Sequence, residues 1–185
     1  MAKAQKKGKK VWVKINAGPE FNNIELGESY VHSPEDLMGK KFKINLSMLT
    51  GDMRKQNSNI TFKINEVKNK QPIARAVSLE IQPMHVRRMV RTLKEKIDDS
   101  FTITCKDNTK AKVKPLMLTK AKTSNSILVT IRKKTQEKIK NFAQEHTFHE
   151  MLTGTITGQL QKELRNDINR IYPLTTCEIR KIEVL

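Results

Sequence analysis

Short segments in which hydrophobic and polar residues alternate run through much of this chain, and that two-residue period is typical of β-strands. The first lies at Val11 to Ile15, and two clearer ones follow from Lys41 to Met48 and from Ile60 to Asn65. A fourth runs from Ile73 to Ile81, although Arg75 interrupts its apolar side. We therefore predict four strands in the first half of the chain.

The second half contains a predicted β-hairpin. Residues 101–105 alternate between apolar and polar positions, and the Asp107-Asn108 pair that follows favours a tight turn. Residues 110–114 then place a lysine at every second position. One face or edge of this hairpin is therefore expected to be lined with lysine.

Two further segments have less regular patterns. Residues 20–36 contain five acidic residues, Gly27 and Pro34 but no Lys or Arg, which predicts a loop turned away from any polyanion. Residues 177–185 are predicted to be extended, but their apolar residues change parity. Such a change indicates a bulge or a strand buried on both sides.

Three segments repeat apolar residues at steps of three and four, as amphipathic helices do. They span residues 86–97, about 126–142, and 147–171. The third begins with Thr147 and Glu150 at the spacing of a capping box. Together with the strands, these helices predict an α+β fold.

Charge narrows the possible functions. The 185-residue chain has 36 Lys and Arg against 19 Asp and Glu, a formal net charge of +17, with a pI of about 10.0. That much like charge destabilises a compact protein through self-repulsion, so a polyanionic partner is expected, with nucleic acid the first candidate. Hydrophobic residues make up 37% of the chain, enough for a core, and the length fits a single domain at residues 11–185.

A basic tail is predicted at residues 1–10. Six lysines occupy the first fourteen residues without an acidic residue among them. A segment with charge but little apolar surface cannot bury enough of itself to fold alone. We therefore expect the tail to be disordered in the isolated protein and ordered on RNA; a tail that only keeps the protein soluble is the alternative.

The helix predicted at residues 86–97 supplies the best candidate binding surface. Arg87, Arg88, Arg91 and Lys94 are spaced so that they share one side of a helix, and guanidinium groups bind phosphate oxygens with two parallel hydrogen bonds. An ordinary solvated helix face is the alternative.

Aromatic residues are few. They make up 5% of the chain, and Trp12, Tyr30 and Tyr172 are scattered, while Phe42 and Phe62 fall on the apolar sides of their strands, where core positions are expected. Proteins that bind single strands usually expose several aromatic side chains on one sheet face. The sequence thus favours recognition of the backbone and shape of folded RNA over stacking on unpaired bases.

Catalytic and metal-binding motifs are absent from the sequence. It has no glycine-rich phosphate loop and no Gly-x-Ser-x-Gly motif, and Cys105 and Cys177 have neither disulfide-framework nor metal-ligand spacing. His146 and His149 lack the surrounding pattern of a zinc site. We predict no catalytic residue, metal, cofactor or small-molecule substrate. A metal-dependent nuclease stays an alternative, because its carboxylates would converge from several elements.

Membrane insertion and export are not expected. No stretch approaches the ~18 apolar residues of a membrane span, and no apolar region of a signal peptide follows the N-terminal lysines. We therefore predict a soluble cytoplasmic protein without a membrane partner.

Several short motifs occur in an order and spacing that resemble one protein family. They are Trp12, Ala17-Gly18-Pro19-Glu20-Phe21, Gly27-Glu28, Leu49-Thr50-Gly51-Asp52, His85-Val86-Arg87-Arg88-Met89-Val90-Arg91, Lys96-Ile97-Asp98, Lys112-Val113-Lys114, Ile131-Arg132-Lys133, Ile171-Tyr172-Pro173-Leu174 and Glu178-Ile179-Arg180-Lys181. From roughly Val11 to Leu185, the chain resembles the S1e (S3Ae) family of small-subunit ribosomal proteins, which archaea and eukaryotes share. It lacks the long extensions usual in eukaryotic members and is more similar to the archaeal form.

The resemblance implies a structural constituent of the small ribosomal subunit with an antiparallel β-barrel core and packed helices. It implies a place on the platform near the messenger exit, with rRNA and neighbouring ribosomal proteins as partners and messenger RNA near the exit as a further candidate. It carries over no catalytic residue. A free-standing RNA-binding or chaperone-like β-barrel protein is the alternative.

The chain departs from the family pattern at two places. Gly39-Lys40-Lys41 stands where the family often has glycine followed by arginines, so a specific two-pronged arginine contact is not expected there. Asp107-Asn108 stands where the family often has Asp-Gly, and Asn still tolerates a left-handed turn.

The predicted RNA contacts combine the tail, the arginine-rich helix and the basic positions of the strands. They are Lys3, Lys6, Lys7, Lys9, Lys10, Lys14, Lys40, Lys41, Arg87, Arg88, Arg91, Lys94, Lys112, Lys114, Arg132, Lys133, Arg180 and Lys181.

Overall fold

The structure is a computed structural model that describes residues 9–18, 21, 23–68 and 71–185. Its strands are β1 (Val11–Ala17), β2 (Glu25–Val31), β3 (Lys41–Asn45), β4 (Ser58–Lys68), β5 (Gln71–Ile81), β6 (Lys96–Asp98), β7 (Phe101–Thr104), β8 (Lys110–Thr119) and β9 (Leu174–Val184). Its α-helices are α1 (Leu46–Thr50), α2 (Pro83–Met89), α3 (Asn125–Glu145), α4 (Phe148–Thr157) and α5 (Gln159–Asn169). Short 3-10 helices lie at Pro34–Leu37 and Met53–Lys55.

All nine strands join one sheet around the long strand β5. One edge of β5 pairs antiparallel with β4 along nearly its whole length, and β4 in turn pairs with β3. The other edge of β5 is shared: β1 pairs with its beginning and β9 with residues Ser78 to Glu80. The sheet then continues from β9 to β8, whose outer edge carries both β7 and β6.

The predicted α+β class is confirmed, whereas a closed barrel is not. Among the described residues, no pairing joins β2 or β3 to the far end of the sheet at β6 and β7, so the sheet is open. One pairing also departs from the predicted antiparallel arrangement, because β1 runs parallel to β5 at Asn16 and Ala17.

The predicted loop at residues 20–36 is wrong in part, because β2 lies within it and pairs with β1. The pattern of β2 is hard to detect because a bulge interrupts its register between Ile15 and Asn16 of β1. A bulge shifts the side-chain alternation by one residue, so Leu26 and Val31 turn inward although they have opposite parity.

The strand predicted from Lys41 to Met48 also ends early. Asn45 accepts a hydrogen bond from the backbone N–H of Ser47 at 2.9 Å, and this cap starts α1 at Leu46. Met48 therefore lies on a short helix, where its side chain is exposed.

The helix predicted at residues 86–97 is wrong in its second half. Pro83 opens α2, which ends at Met89, and Leu93 has a positive φ of 73° that no α-helix accommodates. Ile97 is fully buried in β6 opposite Met117, so its apolar character reflects a strand position in the core. The spacing of four between Leu93 and Ile97 imitates a helical stripe by coincidence.

The helical segment predicted at residues 147–171 is split. Its capping box is confirmed, because Thr147 and Glu150 exchange hydrogen bonds of 2.8 and 3.3 Å. Gly158 takes a left-handed conformation, φ 81°, which ends α4 and begins α5.

The remaining strand predictions hold. The hairpin of β7 and β8 turns at Asn108, which has φ 58°, and a register shift beside Pro115 gives β9 the predicted bulge. Buried positions of α3, α4 and α5 pack with the sheet in one continuous apolar core. Cys105 and Cys177 lie buried and unpaired in that core, and burial raises the pKa of the Cys177 thiol to about 12.

Candidate nucleic-acid interface

Helix α2 packs against the sheet mainly through one buried side chain. Val86 packs with Ile81 at the end of β5 and with Leu116 of β8, and Met89 covers the same small apolar cluster. This anchor fixes the orientation of the helix. Arg87 and Arg88, the next residues along the chain, are both exposed.

Arg88, Arg91 and Lys94 converge on a depression of about 490 Å³ at the C-terminal end of α2. Arg88 donates a hydrogen bond to the side-chain oxygen of Asn57 at 3.1 Å, and Lys94 donates one to the hydroxyl of Thr175 at 3.1 Å. Both partners are neutral, so they orient the cations without cancelling their charge. Although the helix ends earlier than predicted, these three predicted residues share one site.

His85 lines the same depression. Burial lowers the pKa of its imidazole, and the neighbouring Arg88 guanidinium lowers it further. At neutral pH the ring is therefore uncharged and offers one hydrogen-bond donor and one acceptor. The sequence motif around α2 contained His85, but only the structure shows that it borders the cations.

A second depression, of about 330 Å³, lies on the other side of α2. Arg87 lines it together with Lys114, Arg180 and Lys181. Residues that the sequence separates by almost a hundred positions thus meet, because β8 and β9 are neighbours and α2 packs over the end of β5.

Lysines continue from this depression across the sheet. Lys114 lies opposite Lys181, and Lys112 lies opposite Glu183 on the same pair of strands. The hydrogen bond from Lys181 lowers the pKa of the Glu183 carboxyl, and the positive charges of Lys41 and Lys114 add to that effect. Lys41 of β3 is therefore close enough to act on the same carboxyl group as Lys114 and Lys181.

We call this surface the basic face. It comprises Lys41, Arg87, Arg88, Arg91, Lys94, Lys112, Lys114, Arg180 and Lys181.

Acidic residues neutralise only part of the basic face. Arg180 contacts Asp98 at 2.6 Å, and Lys181 contacts Glu183 at 2.7 Å. Within the described ranges, no carboxylate lies within ion-pair distance of Arg87, Arg91, Lys112 or Lys114; these four cations are available to an external anion.

Other predicted contacts lie away from the basic face. Lys14 is engaged by Glu25 at 3.1 Å and Glu28 at 3.9 Å, and the hydrogen bond with Glu25 raises the pKa of its ammonium group. Arg132 and Lys133 are exposed on α3, and no described hydrogen bond or ion pair joins them to the basic face.

The RNA contacts predicted nearer the N-terminus also lie apart from the basic face or outside the described residues. Lys40 lies in the turn before β3, next to Lys41, and lines a groove between β2 and β3. Lys9 and Lys10 are exposed just before β1, whereas Lys3, Lys6 and Lys7 lie outside the described residues.

One feature that the sequence did not predict is an exposed aromatic pair. Trp12 of β1 lies directly opposite Tyr30 of β2, and their ring centroids are 5.1 Å apart. The sequence did not indicate that Trp12 and Tyr30 are neighbours, because the segment that forms β2 was predicted to be a loop. By contrast, the predicted core roles of Phe42 and Phe62 are confirmed, since Phe62 is fully buried, Phe42 packs against the core, and their ring centroids stack 5.8 Å apart.

In the part of the chain that the structure describes, no group of three or more His, Cys, Asp or Glu side chains is arranged to hold a metal ion. None of the described helices combines the length and the apolar character needed to cross a membrane.

Comparison with known proteins matches residues 2–185 to the model of the Ribosomal S3Ae family. The chain belongs to this family. It is 29% identical to the small ribosomal subunit protein eS1 of Methanothermobacter thermautotrophicus, over 100% of this chain and 98% of that protein. Identity to the eS1 proteins of Halorubrum lacusprofundi and Haloquadratum walsbyi is 30% and 28%, over 94% and 92% of this chain and 80% and 81% of theirs.

Family membership confirms the resemblance that the sequence motifs indicated, including the archaeal type. It identifies the chain as a structural ribosomal protein and not as an enzyme, so the nuclease alternative falls. The free-standing RNA-binding protein is likewise not favoured.

Proposed function

We propose that this chain is a structural constituent of the small ribosomal subunit and that it holds rRNA through the basic face. The observation that carries the proposal is the convergence of cations from α2, the segment just after it, β8 and β9 on two depressions with few acidic partners, in a member of a ribosomal protein family. A fold that gathers like charges without neutralising them is stabilised when an anion binds.

The geometry suits phosphate groups. Arg87 and Arg88 are neighbours on α2, yet they line depressions on opposite sides of it, so an RNA backbone that crosses the helix meets guanidinium groups on both sides. Arginine binds phosphate oxygens with two hydrogen bonds, and the lysines of the sheet add compact charges. Such contacts fix position and orientation and carry no sequence information themselves.

The proposal extends to the surroundings of the protein. We place it in the cytoplasmic ribosome, on the platform near the messenger exit, with neighbouring ribosomal proteins and the messenger RNA within reach. Residues 11–185 would act as one domain in which the helices pack on the sheet, and the lysine tail at residues 1–10 would become ordered on rRNA. The single large apolar core supports the one-domain arrangement.

Charge reversal at Arg87 of α2 and at Arg91, just after the end of the helix, tests the proposal. Replacement of Arg87 and Arg91 by Glu should lower the affinity for a platform fragment of small-subunit rRNA about 100-fold, since each lost contact to a charged group is worth about 1.5 kcal/mol. Both side chains are exposed and lack described ion pairs, so the fold should tolerate the change. Titration with labelled RNA measures the loss.

The matched control replaces Lys140 and Lys162 by Glu. These lysines are exposed on α3 and α5, and their replacement changes the net charge by the same amount. The control should lose only a small part of the affinity. Equal losses in the two variants would mean that net charge alone drives binding, and the basic face would then have no special role.

A further inference from the structure

The β1–β2 hairpin presents two aromatic side chains to solvent. Trp12 is 64% exposed and Tyr30 is 52% exposed, although both belong to strands of the main sheet. Their antiparallel register places them directly opposite each other, with a tilt of 39° between the rings. The pair forms a continuous apolar surface that the described part of the chain leaves largely uncovered.

Positive charge borders this pair. The ammonium group of Lys10 lies 5.7 Å from the centroid of the Tyr30 ring, and Lys9 precedes it. The sequence before Trp12 contains lysine at positions 3, 6, 7, 9 and 10 and no acidic residue. An occupant of the pair therefore carries apolar flat surface and negative charge at the same time.

We propose that the Trp12–Tyr30 pair stacks against an unpaired base of RNA while Lys9 and Lys10 contact the adjoining phosphates. A nucleotide combines a flat π surface with a negative backbone, and stacking on exposed aromatic side chains is how proteins hold unpaired bases. Bases inside a duplex have their faces covered by their neighbours, so apart from the terminal pairs only an unpaired base presents a face to these rings.

This proposal rests on the proposed RNA-binding function and adds a second kind of contact to it. The basic face binds backbone phosphates of folded RNA, whereas the hairpin would capture a base from a loop, a bulge or an end. The two contacts are made by different elements, so variants can remove one of them and leave the other in place.

Intrinsic fluorescence tests the stacking directly, because Trp12 is the only tryptophan of the chain. The full chain should be titrated with an RNA hairpin that carries an unpaired loop, and with a blunt duplex that has the same number of phosphates. Stacking quenches the indole, so the loop RNA should quench the emission much more strongly than the duplex, whose only open base faces are those of its terminal pairs. Equal emission changes with both RNAs at saturation would overturn the proposal.

Variants give the second readout. Trp12→Leu and Tyr30→Leu should each weaken binding of the loop RNA about tenfold or more and leave binding of the duplex unchanged, whereas Trp12→Phe should keep most of the affinity. Met48→Ala, which alters an even more exposed apolar side chain on α1, serves as the control. Circular dichroism of each variant establishes that the fold is retained.

The outcomes separate the two proposals. If the leucine variants bind both RNAs as the unaltered chain does, while Arg87 and Arg91 still matter, the stacking proposal fails and the basic face stands. If neither RNA binds at any salt concentration, the proposed function itself fails. If the leucine variants bind both RNAs normally but no longer bind a ribosomal protein that the unaltered chain binds, the pair is a protein contact and the stacking proposal is overturned.

Discussion

The basic face and the β1–β2 hairpin differ in how the fold supports them. Lys112, Lys114 and Lys181 of the basic face project from β8 and β9, whose opposite sides bury Val113 and Ile182 completely. The hairpin stands at one end of the sheet, and only Asn16 and Ala17 of β1 pair with β5.

Charge balance differs as well. Lys112 and Lys114 of the basic face have no ion-pair partner in the described residues, whereas Lys14 of the hairpin is held by Glu25 and Glu28. The hairpin thus offers aromatic surface beside local charge pairs, and the basic face offers unbalanced charge on strands whose other side is buried in the core. The comparison indicates a division between positioning by phosphate contacts and selection of unpaired nucleotides.

The salt dependence of RNA affinity should show the largest difference between the two regions. Each neutralised phosphate releases counterions, so log affinity should fall linearly with log salt, with a slope of about −0.7 to −0.9 per contact. With six or more contacts, affinity should fall about 10³-fold or more between 50 and 200 mM salt. Titrations of the unaltered chain over that range measure the slope.

The same titrations sharpen the comparison through variants. Arg87→Gln together with Arg91→Gln should make the slope shallower by about 1.4 to 1.8, since two phosphate contacts are lost. Trp12→Leu should weaken binding of a loop RNA without changing the slope, because stacking releases no counterions. A slope that responds equally to both changes would show that the regions are not independent.

Stability should distinguish the regions next. Ile182→Ala removes a fully buried side chain from beneath the basic face and should lower the free energy of unfolding by about 2 to 5 kcal/mol. Trp12→Leu should lower it by less than about 1 kcal/mol, because the ring is mostly exposed and loses mainly its contact with Tyr30.

Urea unfolding followed by circular dichroism measures both changes without relying on Trp12 emission. Ile182→Val, which removes one methyl group at the same place, should cost only about 0.5 to 1.5 kcal/mol. If Trp12→Leu destabilised the chain as much as Ile182→Ala does, the aromatic pair would be a structural support, contrary to the role proposed for it.

The strand pattern of the core could be predicted because local alternation and burial agree there. Ile60, Phe62 and Ile64 of β4 all turn inward, and the alternating lysines of β8 remain on the polar side. The missed strand β2 fails this condition, since a bulge changes its parity and its Gly27 and acidic residues resemble those of a loop.

The sequence predicts the individual basic residues of the candidate site, but it does not predict which of them lie close together. The motif around Arg87 and Arg88 identified the cations, yet the periodicity extended their helix across Leu93 to Ile97, which belongs to β6. Tertiary packing makes Ile97 part of a strand and not of the helix, because its side chain is fully buried against β8. The meeting of α2 with Lys114 and Lys181 depends on long-range pairing, and no local pattern encodes that.

The smallest expected effect concerns Glu183, an acidic residue that borders the basic face. Its carboxyl contacts Lys181 at 2.7 Å and repels any phosphate that approaches Lys112 or Lys114. Glu183→Gln removes this negative charge and releases Lys181, so affinity for rRNA should rise a few-fold at low salt. Glu163→Gln on α5 changes the net charge equally and serves as the control; an equal rise there would contradict a local effect.

The same variant should respond to pH in a defined direction. The hydrogen bond from Lys181 lowers the pKa of Glu183 in the folded chain, so the unfolded chain binds more protons between the two pKa values and the pair stabilises the fold above that range. Because both side chains are partly exposed, the gain should stay below about 1 kcal/mol. Thermal unfolding should therefore show Glu183→Gln slightly less stable than the unaltered chain at pH 7, with the difference vanishing as the pH falls through the lowered pKa. A difference that persisted at acidic pH would mean that Glu183 stabilises the fold by packing and not by charge, and its substitution would then no longer isolate the electrostatics of the basic face.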